Sequence, residues 1–428
     1  MSNRDARNNI DLKYSFFFIT LCCLVNIYFN YYLKLSGDEN TYYNLALESG
    51  AENQLFLPGF TAYLSILTKI FFITNFATLK IIVTLINFSL LIFITYSLYK
   101  FTKFKYYLII VLISLSPTYF YFLSSLWPDT FSALLFCSSI MLVPWINFKK
   151  SLIIFIIFIF ILMLLTILRP QYSFFISLIS FYFFINIFNK NDNFKISILN
   201  KILIWFFSNI LIFSPLIIIS YKNFIDYGAF LPLISPLIAE LYHFPSPEFK
   251  ELASKLGNLT FYDCETFIAE FASSNNINFY EASNLLTNKY SLKSNSDFFN
   301  VSISNIYIFF WEQKYSFLER YSLLFCWGND ECILRDNFII FKILELFLRT
   351  IFILISVILI FWPLLFKVDM RIYIFFLLIY IIFISLHCLG GNPTHGRYVY
   401  QFYPIVFLFL NLFLECKSKD RSKIFILE

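Results

Sequence analysis

Long apolar runs recur along almost the whole chain, and they limit its possible folds more than any other feature. A helix of about 20 apolar residues crosses the ~30 Å of hydrocarbon in a bilayer. Hydrophobic residues form 59% of the chain and charged residues 14%, which is unlike a soluble globular domain. We therefore expect an all-α polytopic membrane protein. The runs lie near 14–34, 78–99, 105–124, 128–148, 151–168, 172–189, 201–220, 338–365, 371–390 and 398–415, which predicts ten transmembrane helices.

The apolar stretch 55–74 contains Pro58, Gly59 and Lys69, and we expect it to form a helix in the outer membrane interface. The distribution of basic residues favours this interpretation. If 55–74 does not cross, the Lys and Arg clusters fall on one side of the membrane, which the positive-inside rule identifies as the cytoplasm. Both termini are then cytoplasmic. The clusters lie within 4–13, 100–105, 149–150, 190–201, 367–371 and 417–423.

This topology divides the chain into three parts. We expect an N-terminal transmembrane module over 1–220, a small extracytoplasmic subdomain over 221–337, and C-terminal transmembrane helices with a cytoplasmic tail over 338–428. Cys326 and Cys332 lie in the subdomain, on the oxidising side. The sequence leaves open whether they form a short-loop disulfide or remain two thiols.

The first extracytoplasmic loop, 36–77, opens with two adjacent carboxylates, Asp38 and Glu39, followed by Tyr42 and Tyr43. A carboxylate there can take a proton from a hydroxyl or hold a divalent ion. The alternative is a pair of solvated loop acids. The loop is short, flanked by aromatic residues and bounded by apolar elements, and this favours a functional role.

Two further charged residues follow apolar runs on the same predicted side. Asp129 comes directly after Trp127 and Pro128. It either binds an acceptor or ion, or is simply an acid stabilised by the dipole at a helix start. Arg169 lies in a tight Arg-Pro-Gln turn. Its guanidinium either reaches lipid headgroups or pairs with a phosphate through its planar fork.

A glycine-rich turn, 390–398, lies before the last apolar run and carries His395 and Arg397. Glycines allow the backbone to approach a ligand closely, and Arg397 is a candidate for phosphate binding. Arg320 is a weaker candidate, in an aromatic stretch before the eighth predicted span. The histidines are too sparse to define a metal site.

The predicted topology gathers these acids and cations at one membrane surface. The chain contains no Ser-His-Asp order, phosphate-binding glycine loop or zinc signature. Acids facing arginines suit a transfer from an anionic, membrane-borne donor to a hydroxyl. The arginines would stabilise the departing phosphate and an acid would act as the base.

Five motifs resemble the GT-C superfamily of glycosyltransferases, which use polyprenyl-phosphate sugars. The nearest group is the bacterial relatives of protein O-mannosyltransferases and of the lipid A aminoarabinose transferase. The similarity covers roughly 14–220 and 338–415, whereas 221–337 shows nothing that matches. The motifs are GDENTYYNLALESG, LPGFTAYLSILTKIF, SLSPTYFYFLSSLWPDTFSALLF, LTILRPQYSFF and HGRYVYQFYPIVFLFL.

The resemblance implies that Asp38 is the catalytic acid, with Glu39 as its neighbour in the motif. We expect Glu39 to orient the acceptor hydroxyl or an ion. It also implies that Arg397 meets the donor phosphate. We expect Arg169, His395 and Arg320 to assist there. Asp129, Tyr42 and Tyr43 are expected to contact the acceptor or an ion.

The expected activity is inverting transfer of a hexose or pentose from a polyprenyl-phosphate donor to a hydroxyl acceptor, which is a glycan, lipid or protein of the cell envelope. The expected location is the bacterial inner membrane, with the active site extracytoplasmic. A divalent cation is left open as a cofactor, and no nucleic-acid partner is expected. The alternatives are an O-antigen-type polymerase and a lipid-linked-sugar transporter or flippase. A transporter predicts an internal repeat and helices broken near the membrane midplane, and the sequence shows no repeat.

Overall fold

The computed structural model describes the chain as a set of helices, and the described residues contain no β-strand. The fold class is therefore confirmed as all-α within that part. The described residues are 3–32, 37–47, 58–101, 119, 122–149, 152–169, 172–173, 175–180, 198–227, 271–277, 281–282, 285, 339–366, 370–390 and 397–417. The helices are α1 (Asn3–Tyr32), α2 (Gly37–Leu47), α3 (Pro58–Ile70), α4 (Phe76–Phe101), α5 (Pro128–Lys149), α6 (Leu152–Leu168), α7 (Ile198–Tyr227), α8 (Ile339–Ile360), α9 (Trp362–Leu365), α10 (Met370–Gly390) and α11 (Arg397–Lys417).

Three described stretches are long and apolar enough to cross a membrane: Phe76–Phe101, Pro128–Ile146 and Ile202–Tyr221. Shorter apolar stretches occur in α1, α6, α8, α10 and α11. These helices indicate a membrane protein, whereas the predicted number of ten spans is not confirmed. The predicted runs at 105–124 and 172–189 lie mostly outside the described residues.

The segment expected to be a loop at 36–77 contains two helices, α2 and α3. Glu39, Tyr42 and Ala46 are buried and Tyr43 is partly buried. These positions follow the i, i+3, i+4, i+7 spacing of a single helix face, so α2 forms by packing that face on the protein. Helix α3 agrees with the helix predicted within 55–74. The predicted subdomain at 221–337 lies almost entirely outside the described residues, as do Cys326 and Cys332.

Helix α5 is the centre of the described bundle. Every residue from 122 to 144 is buried, and α5 packs against α4, α6 and α11. Helix α1 packs on α4, α7 packs on α6, and α11 also contacts α8 and α10. Helix α7 instead exposes large apolar side chains. A helix that is apolar all round is covered either by protein or by lipid, and α5 and α7 represent these two cases. The exposed side chains of α7 include Phe206, Phe207, Ile210, Leu211, Ile217 and Ile218.

Helices α5 and α6 form an antiparallel hairpin, since only two residues separate Lys149 from Leu152. The start of α5 therefore lies beside the end of α6. Helix α3 also packs on α6. Its Gly59 lies so close to Ile167 that a Cβ at this position would collide with the Ile167 carbonyl. The turn before α5, the end of α6 and the start of α3 thus meet at one end of the bundle.

Candidate functional site

Two buried ion pairs lie at this end of the bundle. We call the region the charged end, and define it as α2, α3, the start of α4, residues 122–129 and Arg169. One pair joins Glu39 to Lys80, and the other joins Asp129 to Arg169. Each carboxylate belongs to the first turn of a helix, where the helix dipole favours negative charge.

The Glu39–Lys80 pair is enclosed by protein. The Lys80 Nζ lies 3.2 Å from the Glu39 Oε1, and the two side chains are 2% and 0% exposed. The same oxygen accepts a hydrogen bond of 3.0 Å from the backbone N–H of Leu126. The Lys80 Nζ also lies 5.5 Å from the centroid of the Phe76 ring. Buried charges are costly unless they are paired and hydrogen-bonded, and these contacts supply the pairing.

The Asp129–Arg169 pair closes the α5–α6 hairpin. The Arg169 Nη2 donates to the Asp129 Oδ1, and the side chains are 14% and 5% exposed. The Arg169 N–H continues the last turn of α6 by donating to the Leu165 carbonyl at 3.1 Å. An acid at a helix start and a cation at a helix end both complement their helix dipoles. Leu126 lies three residues before Asp129, so the turn between them borders both pairs.

Aromatic contacts connect α2 to α5 through α3. Tyr42 meets Phe60 edge to face, with ring centroids 5.2 Å apart. Further along α3, Tyr63 stacks on Phe131 at 4.5 Å. Burial raises the pKa of the Tyr63 hydroxyl well above its ordinary value. Tyr42, which was predicted to contact the acceptor, is therefore buried inside the protein.

Tyr43 attaches the other edge of α2 to the start of α4. Its hydroxyl donates to the Thr74 carbonyl at 3.3 Å, and its ring meets Phe76 at 5.3 Å. Phe76 therefore contacts both Tyr43 and the Lys80 ammonium. The first turn of α2 is held by the contacts of the Glu39 carboxylate, and its second turn by the rings of Tyr42 and Tyr43.

The structure brings together five of the residues predicted to be functional: Glu39, Tyr42, Tyr43, Asp129 and Arg169. Asp129 and Arg169 were predicted to contact different ligands, whereas here they contact each other. The pair uses one oxygen of Asp129 and one nitrogen of Arg169. Their ligand roles remain predictions.

The other predicted site residues are described only in part. Asp38 lies in the first turn of α2, directly before Glu39, and Arg397 is the first residue of α11. The side chains of Asp38 and Arg397 lie outside the described part of the chain, and His395 and Arg320 lie outside it altogether. The predicted convergence of Asp38 and Arg397 is therefore not tested.

Lys80 is the residue that sequence reasoning missed. It is the only charged residue in the apolar run 78–99, so the signal was present. A charge inside an apolar helix is costly and marks a candidate site by default. Its partner Glu39 lies on a separate helix, and sequence spacing does not predict that contact.

Among the described residues, no group of three or more His, Cys, Asp or Glu side chains is arranged to hold a metal ion. Comparisons of the chain with protein-family models, with curated proteins and with solved structures give no match.

Proposed function

We propose that the chain is a membrane glycosyltransferase. It moves a sugar from a polyprenyl-phosphate donor to a hydroxyl acceptor of the cell envelope, with inversion at the anomeric carbon. The main support is the buried Glu39–Lys80 pair, which fixes the first turn of α2. That turn carries Asp38, the residue that matches the catalytic acid of the GT-C superfamily.

The contacts of Glu39 favour a division of labour between the two adjacent acids. The Oε1 of Glu39 is occupied by Lys80 and by the Leu126 N–H, and its side chain has no exposed surface. A carboxylate held in this way is suited to orienting its neighbour. Asp38 is then the acid that takes the acceptor proton.

In the proposed step, the acceptor hydroxyl gives its proton to the Asp38 carboxylate. The acceptor oxygen attacks the anomeric carbon and forms the new glycosidic bond. The bond from that carbon to the phosphate oxygen breaks, and the polyprenyl phosphate leaves with the electron pair. Arg397 stabilises the charge that develops on the phosphate. Because a single in-line displacement occurs, the configuration inverts.

The proposal includes the predicted topology. Ten spans, cytoplasmic termini and a bacterial inner membrane would place the charged end on the extracytoplasmic side. The burial of α5 and the exposed apolar side chains of α7 agree with a helical bundle in a bilayer. The bilayer would deliver the donor, whose polyprenyl chain cannot leave it.

An in-cell assay tests the catalytic role of Asp38. A strain that lacks the protein is complemented with the parent chain, with Asp38→Asn or with Asp38→Glu, and its surface glycans are analysed by mass spectrometry. We expect Asp38→Asn to lower the product by about 100-fold or more, since it removes the general base. Asp38→Glu keeps a carboxylate and should retain part of the activity.

Asp11→Asn is the matched control. It also replaces a carboxylate by an amide, but in the first half of α1, whereas Asp38 lies in α2 after the end of α1. It should leave the glycan unchanged at equal protein level. Unchanged glycan in the Asp38→Asn strain, with the product absent from the empty strain, contradicts the catalytic assignment. Unchanged glycan in the empty strain contradicts the proposed function itself.

A further inference from the structure

Lys80 lies inside a helix that is long and apolar enough to cross a membrane. Lys80 is 2% exposed, and its side chain is among the largest buried side chains of the described residues. An ammonium in such a place is unfavourable unless a specific contact compensates for its lost hydration. That contact comes from Glu39, on the short helix α2.

The Glu39 carboxylate joins three separate parts of the fold. It belongs to α2, it pairs with Lys80 of α4, and it accepts a hydrogen bond from the turn before α5 through Leu126. Both contacts reach the same oxygen, Oε1. The hydrogen bond from the Leu126 N–H is directional, and the Lys80 ammonium adds Coulomb attraction, so the carboxylate is held against two neighbours at once.

The contacts of Tyr42 and Tyr43 in the second turn of α2 are uncharged. Tyr42 meets Phe60 and Tyr43 meets Phe76 through ring edges, and the Tyr43 hydroxyl donates to the Thr74 carbonyl at 3.3 Å. The first turn, which carries Asp38, is held in the described structure by the Glu39 carboxylate. The Lys80 ammonium therefore contacts the same turn that carries Asp38.

We propose that Lys80 is a positioning residue for the transfer reaction. It acts through Glu39 to hold the first turn of α2 against α4 and α5, and so keeps Asp38 in place. This inference rests on the proposed function for the identity of the reaction. The holding of α2 by Lys80 is a separate physical claim, which can be measured without any activity.

The first experiment measures the docking of α2 by thiol labelling. Ala46 is 1% exposed and lies on the same helix face as Glu39 and Tyr42. In a chain whose native cysteines are replaced by alanine, Ala46→Cys should react slowly with a maleimide added to membranes. We expect Lys80→Met to raise that rate about 10-fold or more, since a charge-assisted contact is lost.

Two further variants make the labelling decisive. Glu39→Gln with Lys80→Met removes both charges, so no unpaired ion remains, and it should raise the rate as Lys80→Met does. Ala133→Cys, at a buried position in α5, reports any general loosening of the bundle. Its rate should stay unchanged. No increase at position 46 in either variant overturns the proposal, as does an equal increase at position 133.

The second experiment asks whether docking matters for transfer. In the in-cell glycan assay, the double variant should lose at least about 10-fold of the product at equal protein level, because Asp38 is no longer held. Lys80→Arg keeps a cation and should restore at least half of the product. Lys69→Met removes an exposed lysine at the end of α3 and should have no effect.

The two failures are distinguishable. If the parent chain makes no glycan product, the proposed function fails, and the thiol labelling still decides whether Lys80 holds α2. If the parent makes product and the double variant makes as much, Lys80 is not a positioning residue. Product lost in the double variant and not restored by Lys80→Arg also overturns the proposal, because the cation is then not what matters.

Discussion

The two ion pairs of the charged end differ in what they connect. Asp129 and Arg169 join the facing ends of one hairpin, so the chain itself brings them close. Glu39 and Lys80 join α2 to α4, and nothing in the local sequence forces that contact. The first pair retains some exposure, 5% and 14%, whereas the second is enclosed, at 0% and 2%. Water can screen the first pair and rehydrate either partner, whereas loss of one partner of the enclosed pair leaves a buried charge uncompensated.

The two ion pairs also differ in whether a structural reason alone accounts for them. Both ends of the Asp129–Arg169 pair complement helix dipoles, which is a sufficient structural reason for it. The Glu39–Lys80 pair has no such helix-end explanation at Lys80, which lies inside α4. We therefore assign the positioning role to the enclosed pair.

The largest expected effect on stability comes from replacing Glu39, the acidic partner of the enclosed pair. Glu39→Gln removes the carboxylate that lies 3.2 Å from the Lys80 ammonium, which is 2% exposed inside the bundle. We expect the free energy of unfolding to fall by about 3–5 kcal/mol. Steric trapping of the protein in bicelles measures that free energy.

The double variant Glu39→Gln with Lys80→Met provides the matched control for this loss. It removes the unpaired ion and should recover most of the stability, since a buried ion pair is often replaceable by neutral residues. A double variant as unstable as Glu39→Gln would show that the loss does not come from the isolated charge.

A second, smaller effect is expected where α3 packs on α6, near the Asp129–Arg169 pair. Gly59→Ala introduces a methyl group that collides with the backbone carbonyl of Ile167. Backbone cannot move aside as a side chain can, so α3 must shift. We expect a loss of about 1–3 kcal/mol in the free energy of unfolding.

Ala62→Ser is the control on the same helix, because Ala62 is exposed and has room for a hydroxyl. It should change the stability by less than about 0.5 kcal/mol. If Gly59→Ala is equally neutral, the close approach of α3 to α6 is not present in the membrane.

Much of the fold is readable from local sequence, because a helix is a local structure. The apolar runs predicted at 78–99 and 128–148 agree with α4 and α5, at Phe76–Phe101 and Pro128–Lys149. These inferences need only periodicity and length. The pair of Asp129 and Arg169 was not predicted from the sequence, although the short connection between α5 and α6 brings the two residues close.

The remainder depends on contacts between distant parts of the chain. The segment 36–77 was expected to be a loop, although Glu39, Tyr42, Tyr43 and Ala46 already have the spacing of one helix face. The polar composition concealed that pattern. The partner of Glu39 is set by how α2 folds back on α4, and no local rule gives it.

The smallest expected effect comes from breaking the hairpin pair. Asp129→Asn leaves Arg169 with some exposure to solvent and with the favourable dipole at the end of α6. The guanidinium can therefore recover part of its hydration, and the asparagine side chain can still accept a hydrogen bond. We expect a loss of only about 1 kcal/mol in the free energy of unfolding, and no change in the labelling of Ala46→Cys. A loss as large as that of Glu39→Gln, or a faster reaction at position 46, would mean that the two pairs act as one network through the turn at 126–129. The distinction between a hairpin contact of small effect and an enclosed positioning contact of large effect would then have to be abandoned.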